Sequence, residues 1–347
     1  MAKIKKRDPS QLFTDVAGFI EESKKYVAYT ANATLTLLYW KMGKRINDEL
    51  LKSKRGDYGK QIVVTLSRQL EETYGKGFEE KNLRRIVQFA AVFPDEQIVV
   101  SLIRQLTWSH FITLIPIKDE LQREFYTEMC RIERWSVRTL REKIDSMLYE
   151  RTAISKKPEL LIKQELKALR KDNVLTPDLV FRDTYMLGFL GLKNIYSEKI
   201  LEDAILQDLE QFIMELGQGF TFVERQKRMI IDGEDFNLDL LFYHRKLKRL
   251  VAVDLKLGKF KAGYKSQMEL YLRWLEKNEM QDEERTPLGL LLCTEGSREQ
   301  IELLQLDKSG IKIAEYLTEL PSKRILKQKL QKTIELAKER FENKESS

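Results

Sequence analysis

Asn237-Leu-Asp-Leu-Leu-Phe242, followed by Leu250-Val-Ala-Val-Asp-Leu-Lys256, is the part of this 347-residue sequence that decides its fold. Side chains alternate across a strand, so residues two apart share a face. Leu250 to Val253 are apolar on both faces, the composition of a central strand covered on each side. At its end Asp254 and Lys256 fall on one face and Leu255 on the other. In the preceding run Asp239 is the lone carboxylate among apolar neighbours. A turn at His244-Arg245-Lys246 makes the two runs hairpin partners and sets the two acids side by side.

Charges at the rim of a buried strand cost desolvation free energy, and carboxylates this close repel unless a divalent cation or a shared proton neutralises them. Hard carboxylate oxygens hold Mg²⁺ or Mn²⁺, which polarises a phosphate and lowers the pKa of bound water. An ammonium group stabilises charge building on the phosphoryl oxygens. The pattern suits phosphodiester hydrolysis, with Asp239, Asp254 and Lys256 catalytic and the two acids as metal ligands. Gln267 and Tyr271 stand at i and i+4 on the next helix, so they share a face and are placed to brace the lysine and a metal-bound water. Glu202, beside the apolar stripe of Leu201, Ile205 and Phe212, is placed as a further ligand. The ordinary alternative is a salt bridge at a sheet end, since 33% of the chain is charged.

Working outward, Ser197 N-caps a helix expected to run to Leu216 and to end at Gly217-Gln-Gly219. Short β-type runs follow at Phe220–Val223, Lys227–Ile231, Phe236–Tyr243 and Leu250–Lys256, with Asp232-Gly233 as one of the turns. A helix over Tyr264–Leu275 and a strand over Leu288–Thr294 complete the order helix, antiparallel meander, helix, strand, an αβββαβ core within an α/β fold. Upstream, residues 11–155 read as mostly helical, with apolar residues at helical spacing in Phe19–Ala28 and Ala33–Trp40. Gly75-Lys-Gly-Phe78 separates the amphipathic segments Ile62–Thr73 and Glu80–Phe93, the form of a helix-turn-helix. The second segment carries Lys81, Asn82, Arg84 and Arg85, side chains suited to phosphate and base-edge contact. An ordinary helical hairpin with a solvated basic face is the competing reading. Residues 156–176 read as a helical connector, 177–330 as the unit bearing the acids, and 331–347 as a charged helical tail.

Composition narrows the function. With 61 Lys and Arg against 54 Asp and Glu, the net charge of +7 favours a polyanionic partner. No segment approaches the roughly 20 apolar residues that span a bilayer, and the basic start has no apolar stretch of the signal-peptide kind. Cys130 and Cys293 lie far apart, as expected of a cytoplasmic chain without a disulfide framework. Two histidines and no Cys-x-x-Cys argue against zinc. Gly-x-Ser-x-Gly, the dinucleotide fingerprint and the Walker A spacing are all absent. His110, in Trp108-Ser-His110, is read as a buried structural histidine.

Several motifs carry a family resemblance: Leu38-Tyr-Trp40, Tyr58-Gly-Lys60, Thr107-Trp-Ser-His110, Arg123-Glu-Phe-Tyr126, Arg225-Gln226, Asp239-Leu-Leu-Phe-Tyr-His-Arg245, Asp254-Leu-Lys256 and Gly289-Leu-Leu-Leu-Cys293. From about residue 12 to 320 the chain resembles the YhcG-like bacterial proteins, assigned to the PD-(D/E)XK nuclease superfamily. The resemblance implies a restriction-endonuclease-like core behind a helical domain of winged-helix type. It makes Asp239 the motif aspartate, Asp254 the second acid and Lys256 the motif lysine. Many relatives carry Glu where Asp254 stands, so this acid is one methylene shorter. The implied activity is a Mg²⁺- or Mn²⁺-dependent DNA endonuclease whose N-terminal domain binds double-stranded DNA. Cutting both strands requires two active sites, so a homodimer is expected of a restriction-type enzyme. A non-catalytic nucleic-acid-binding or adaptor protein and an RNase are the alternatives.

Overall fold

The computed structural model describes residues 9–52, 56–192, 196–295, 309–319 and 321–345. They divide into two compact units, residues 1–143 and 144–347. The first half of the chain is helical: α1 (Pro9–Lys52), α2 (Gly56–Tyr74), α3 (Glu80–Val92), α4 (Glu96–Leu102), α5 (Trp108–Leu114), α6 (Glu120–Glu133) and α7 (Val137–Asp145). Tyr39 and Ile46 of α1, Val63 of α2, and Leu83 and Ile86 of α3 form its buried centre. The α2–α3 hairpin expected around Gly75 is present. The wing is not: no strand occurs among the described residues before Thr184, so nothing there builds the β-hairpin that a winged helix needs. Among the described residues no helix is long and apolar enough to cross a membrane.

The second half holds α8 (Leu148–Arg151), α9 (Glu159–Asp172), α10 (Pro177–Val180), β1 (Thr184–Met186), α11 (Glu198–Gln207), α12 (Leu209–Leu216), β2 (Phe220–Ile231), β3 (Glu234–His244), β4 (Arg249–Lys259), α13 (Ala262–Asn278), β5 (Leu288–Glu295), β6 (Ile311–Leu317) and α14 (Lys323–Glu345). The strands form one mixed sheet in the order β1-β6-β5-β4-β3-β2. The β2-β3-β4 meander is antiparallel, whereas β4, β5, β6 and β1 run parallel. Asp232 and Gly233 both take positive φ, 51° and 84°, as a tight hairpin turn between β2 and β3 requires.

β4 is the doubly covered strand, with Val251, Ala252, Val253 and Leu255 all fully buried. On one face lies α13, whose Met268, Tyr271 and Leu275 pack with Leu241, Ala252 and Leu291. A Cβ at Gly289 would stand 2.6 Å from the Met268 side chain, so this glycine lets α13 lie close on β5. On the other face Phe212 of α12 sits 6.0 Å, ring to ring, from Phe242.

Several boundaries differ from the sequence expectations. The helix expected from Ser197 to Leu216 breaks at Asp208, between α11 and α12. β2 is one strand with a register shift between Phe222 and Glu224, not two separate runs. β1 and β6 were not anticipated. The helix read as a connector, α9, buries Ile162, Leu166 and Leu169 within the second unit. Leu326 and Leu330 of α14 pack on Met147, so the charged tail expected over residues 331–347 continues a helix that starts packed, and residues 346–347 lie outside the described residues.

Candidate active site

The site is built where the β3–β4 ladder ends. Leu241 pairs with Ala252 and Leu240 with Val253, so one further step brings Asp239 opposite Asp254. There the ladder gives way to a side chain: Asp239 Oδ2 accepts the Leu255 backbone N–H at 2.7 Å. Antiparallel partners share a face, so Asp239, Asp254 and Lys256 all project to the side covered by α13. Lys256 Nζ lies 2.9 Å from Asp254 Oδ2 and 5.4 Å from the centre of the Tyr264 ring. Asp254 is only 2% exposed, while Asp239 is half-buried at the rim.

These positions fix the electrostatics. Burial pushes the Asp254 pKa up, and the neighbouring Asp239 carboxylate pushes it further, to about 7. The contact with Lys256 is too weak to reverse that. For Lys256, burial disfavours the charge, but the Asp254 carboxylate outweighs it and the pKa ends above the ordinary lysine value. Two acids with one ammonium leave the cluster short of positive charge.

Gln226 holds the next acid in place. It adopts φ 46° within β2, a left-handed conformation unusual for a non-glycine residue, at the rim of the sheet. Its Nε2 donates to Glu202 Oε2 at 2.7 Å and to Asp239 Oδ1 at 3.3 Å. Glu202 is buried, which raises its pKa, and its Oε1 has no hydrogen-bond partner. The nearest guanidinium, Arg225, is 3.9 Å from that oxygen. An orphaned buried carboxylate oxygen and a repelling pair of aspartates form a hard oxygen donor set that fits a divalent cation. No three acidic, histidine or cysteine side chains form a closed metal cage among the described residues. Glu202 is joined to the aspartates through the Gln226 amide rather than directly.

Gln267 is placed differently from its expectation. Its Nε2 donates to the Tyr271 hydroxyl at 2.6 Å, and that hydroxyl donates to the Asn237 carbonyl at 3.2 Å. The pair ties α13 to the start of β3; the described bond of Gln267 is to Tyr271, not to Lys256. Sequence reading missed Gln226 and Glu198 as site residues. Glu198 Oε1 accepts the Leu257 N–H at 3.0 Å and its charge helps hold Lys256 protonated. Neither residue sits in an alternating pattern that marks it, and the left-handed turn of Gln226 has no sequence signature.

On α3, Lys81 and Arg84 are exposed, Arg84 pairs with Glu80 at 2.6 Å, and Arg85 is half-buried. Asn82 donates to the Gly77 carbonyl at 2.6 Å, so its amide braces the turn. His110 is buried: its Nδ1 accepts the Thr107 N–H at 2.9 Å, and its Nε2 lies 3.0 Å from the Trp135 carbonyl. It caps α5, a structural role.

Residues 15–151 match the DUF1016 N-terminal domain and residues 178–334 match the YhcG PDDEXK nuclease domain. The candidate nuclease YhcG of Escherichia coli (strain K12) is 31% identical over 362 residues, covering 95% of this chain and 96% of that one. A crystal structure of a repair endonuclease from Pyrococcus abyssi is 23% identical with a TM-score of 0.26. It matches 35% of this chain, which spans about half (49%) of that protein, and at that score the likeness carries no argument.

Proposed function

The chain belongs to the YhcG family, pairing a DUF1016 N-terminal domain with a YhcG PDDEXK nuclease domain, and we propose that it is a divalent-metal-dependent endonuclease acting on DNA. The observation that carries this reading is the pair of buried Asp254 and half-buried Asp239, which shares a single ammonium group. Asp239 and Asp254 would hold Mg²⁺ or Mn²⁺, with Glu202 as a third oxygen donor once the Gln226 amide yields. Such an ion supplies Lewis-acid polarisation of the scissile phosphate and an acidified water.

The chain's own residues do the rest. Lys256 keeps its proton, because Asp254 and Glu198 lie close, and offers it to the phosphoryl oxygens where negative charge grows. The Gln267–Tyr271 pair ties α13, the helix that covers the site, to the start of β3 and so keeps the cover over Lys256 in place. In this reading the N-terminal unit supplies nucleic-acid binding through Lys81, Asn82, Arg84 and Arg85, of which Lys81 and Arg84 are the exposed cations. Double-strand cleavage calls for two copies of the site.

Purified full-length protein incubated with plasmid DNA and Mg²⁺ tests the reading, beside Asp239→Ala and Lys256→Ala. Cleavage by the wild type with a loss of at least about 100-fold in each variant is expected. Equal rates in all three reject the assigned site. Metal-dependent cleavage of RNA alone reassigns the substrate, and salt-sensitive binding without any cleavage leaves a binding protein.

A further inference from the structure

Helix α1 is 44 residues long, but only its second half is packed. From Thr36 onward it is anchored by buried Tyr39, Trp40 and Ile46, whereas from Ser10 to Ala31 every residue but Ala17 is exposed. That free half is far from polar. Phe13 is 75% exposed, Tyr26 70%, Phe19 67%, and Leu12 and Val27 65% each. At about 100° per residue these five, with Val16 and Ile20, all fall within about 80° of Ser23 around the helix axis. They form one broad stripe running the length of the projection.

We infer that this stripe is the surface on which a second copy of the chain docks, helix against helix. Area is the first argument. With aromatic side chains of about 150–250 Å² each, the three rings and four aliphatic groups leave on the order of 700 Å² uncovered. A specific interface buries about 800 Å² per partner, and a monomer rarely exposes one apolar patch of that size. The second argument is helix stability. Most helical stability in proteins comes from a packed apolar face, and among the described residues of this unit none covers this half of α1. The charge of the helix itself disfavours the other occupants, the basic residues Lys3, Lys5, Lys6 and Arg7 lying before it in the sequence. Residues 9–31 carry Asp15, Glu21 and Glu22 against Lys24 and Lys25, a net of −1, and Lys24 is paired with Glu21 at 2.8 Å. A membrane-surface helix or a nucleic-acid arm carries a basic polar face instead. A second copy brings the identical stripe, which is what an isologous contact needs. Ser23 at its centre lets two helix axes come close.

The inference stands apart from any catalytic reading, and its test uses neither metal nor nucleic acid. Sedimentation velocity and light scattering of the full chain at tens of micromolar should give a particle of about 82 kDa, twice the 41.0 kDa chain. Phe19→Ala with Val27→Ala keeps helix propensity and should weaken the dimer on the order of 100-fold or more. Phe19→Glu with Val27→Glu should give monomer, with an unchanged melting curve of the packed remainder as the control for folding. Tyr29→Glu, placed outside the stripe, should remain dimeric. A monomeric wild type, or a dimer that survives both double variants, overturns the inference.

Discussion

Glu215 is one carboxylate held by two guanidinium groups; Asp254 shares one ammonium with a second carboxylate. Both clusters are buried in the C-terminal unit. Arg151 lies 2.5 Å from Glu215 Oε1, Arg182 lies 2.6 Å from Oε2, and the Met186 N–H donates to Oε1 at 2.8 Å. Burial alone would raise the Glu215 pKa, but Arg182 and then Arg151 hold it below the ordinary value. At Asp254 burial and Asp239 win over Lys256, and the pKa rises. A cluster that fastens the fold carries cation enough for its acid. The cluster at the ladder's end lacks one, and in the proposed reading a divalent cation supplies it.

Breaking the balanced cluster should have the largest effect. Glu215→Ala removes the carboxylate that both Arg151 and Arg182, 1% and 3% exposed, contact. Removing one partner of a buried pair costs about 3–5 kcal/mol, so thermal melting should fall by about 10 °C. A change within 1–2 °C would erase the contrast.

The opposite sign is expected at the site. Asp254 binds a proton more tightly when folded than unfolded, because its pKa rises from 3.8 to about 7. The metal-free protein therefore loses stability as pH climbs from about 4 through 7, and below that window the cost is absent. Asp239→Asn removes the repulsion while keeping an acceptor for the Leu255 N–H. It should stabilise the metal-free chain by about 1 kcal/mol at pH 8 and by almost nothing at pH 4. Urea melts at the two pH values decide; destabilisation at pH 8 would mean the aspartates do not oppose each other.

Gln226 offers the smallest test. Its amide occupies Glu202 and Asp239 oxygens that a cation would claim. Gln226→Ala should lower metal-free stability and tighten Mn²⁺ binding by up to about tenfold, the scale of one charge-assisted hydrogen bond. Weaker binding would make Gln226 a supporter of the metal rather than its competitor.

How much of this was legible in the sequence follows from what each residue's position depends on. The β3–β4 hairpin, the doubly buried β4 and the shared face of Asp239, Asp254 and Lys256 follow from period-two alternation, a local property. The lack of a wing among the described residues, the break at Asp208 and the packing of α9 depend on tertiary context that no window of sequence holds. β6 alternates in part, with Ala314 and Tyr316 buried, but lies beyond a stretch with no clear period. Gln226 stands in the Arg225-Gln226 motif, but its role at the site comes from a left-handed backbone angle that no sequence pattern marks. Glu202 was found from its apolar stripe, yet its separation from Asp239 by an amide required side-chain geometry.

The central claim, that the Asp239–Asp254 pair is short of one divalent cation, is met most directly by calorimetric titration of Mn²⁺ into the full-length protein at pH 7. Two buffers of different ionisation heat count the protons. The account predicts one ion bound per chain with a fraction of a proton released from the aspartate pair, and both effects lost in Asp239→Asn. No binding at millimolar Mn²⁺, or binding that releases no proton and survives Asp239→Asn, would contradict it.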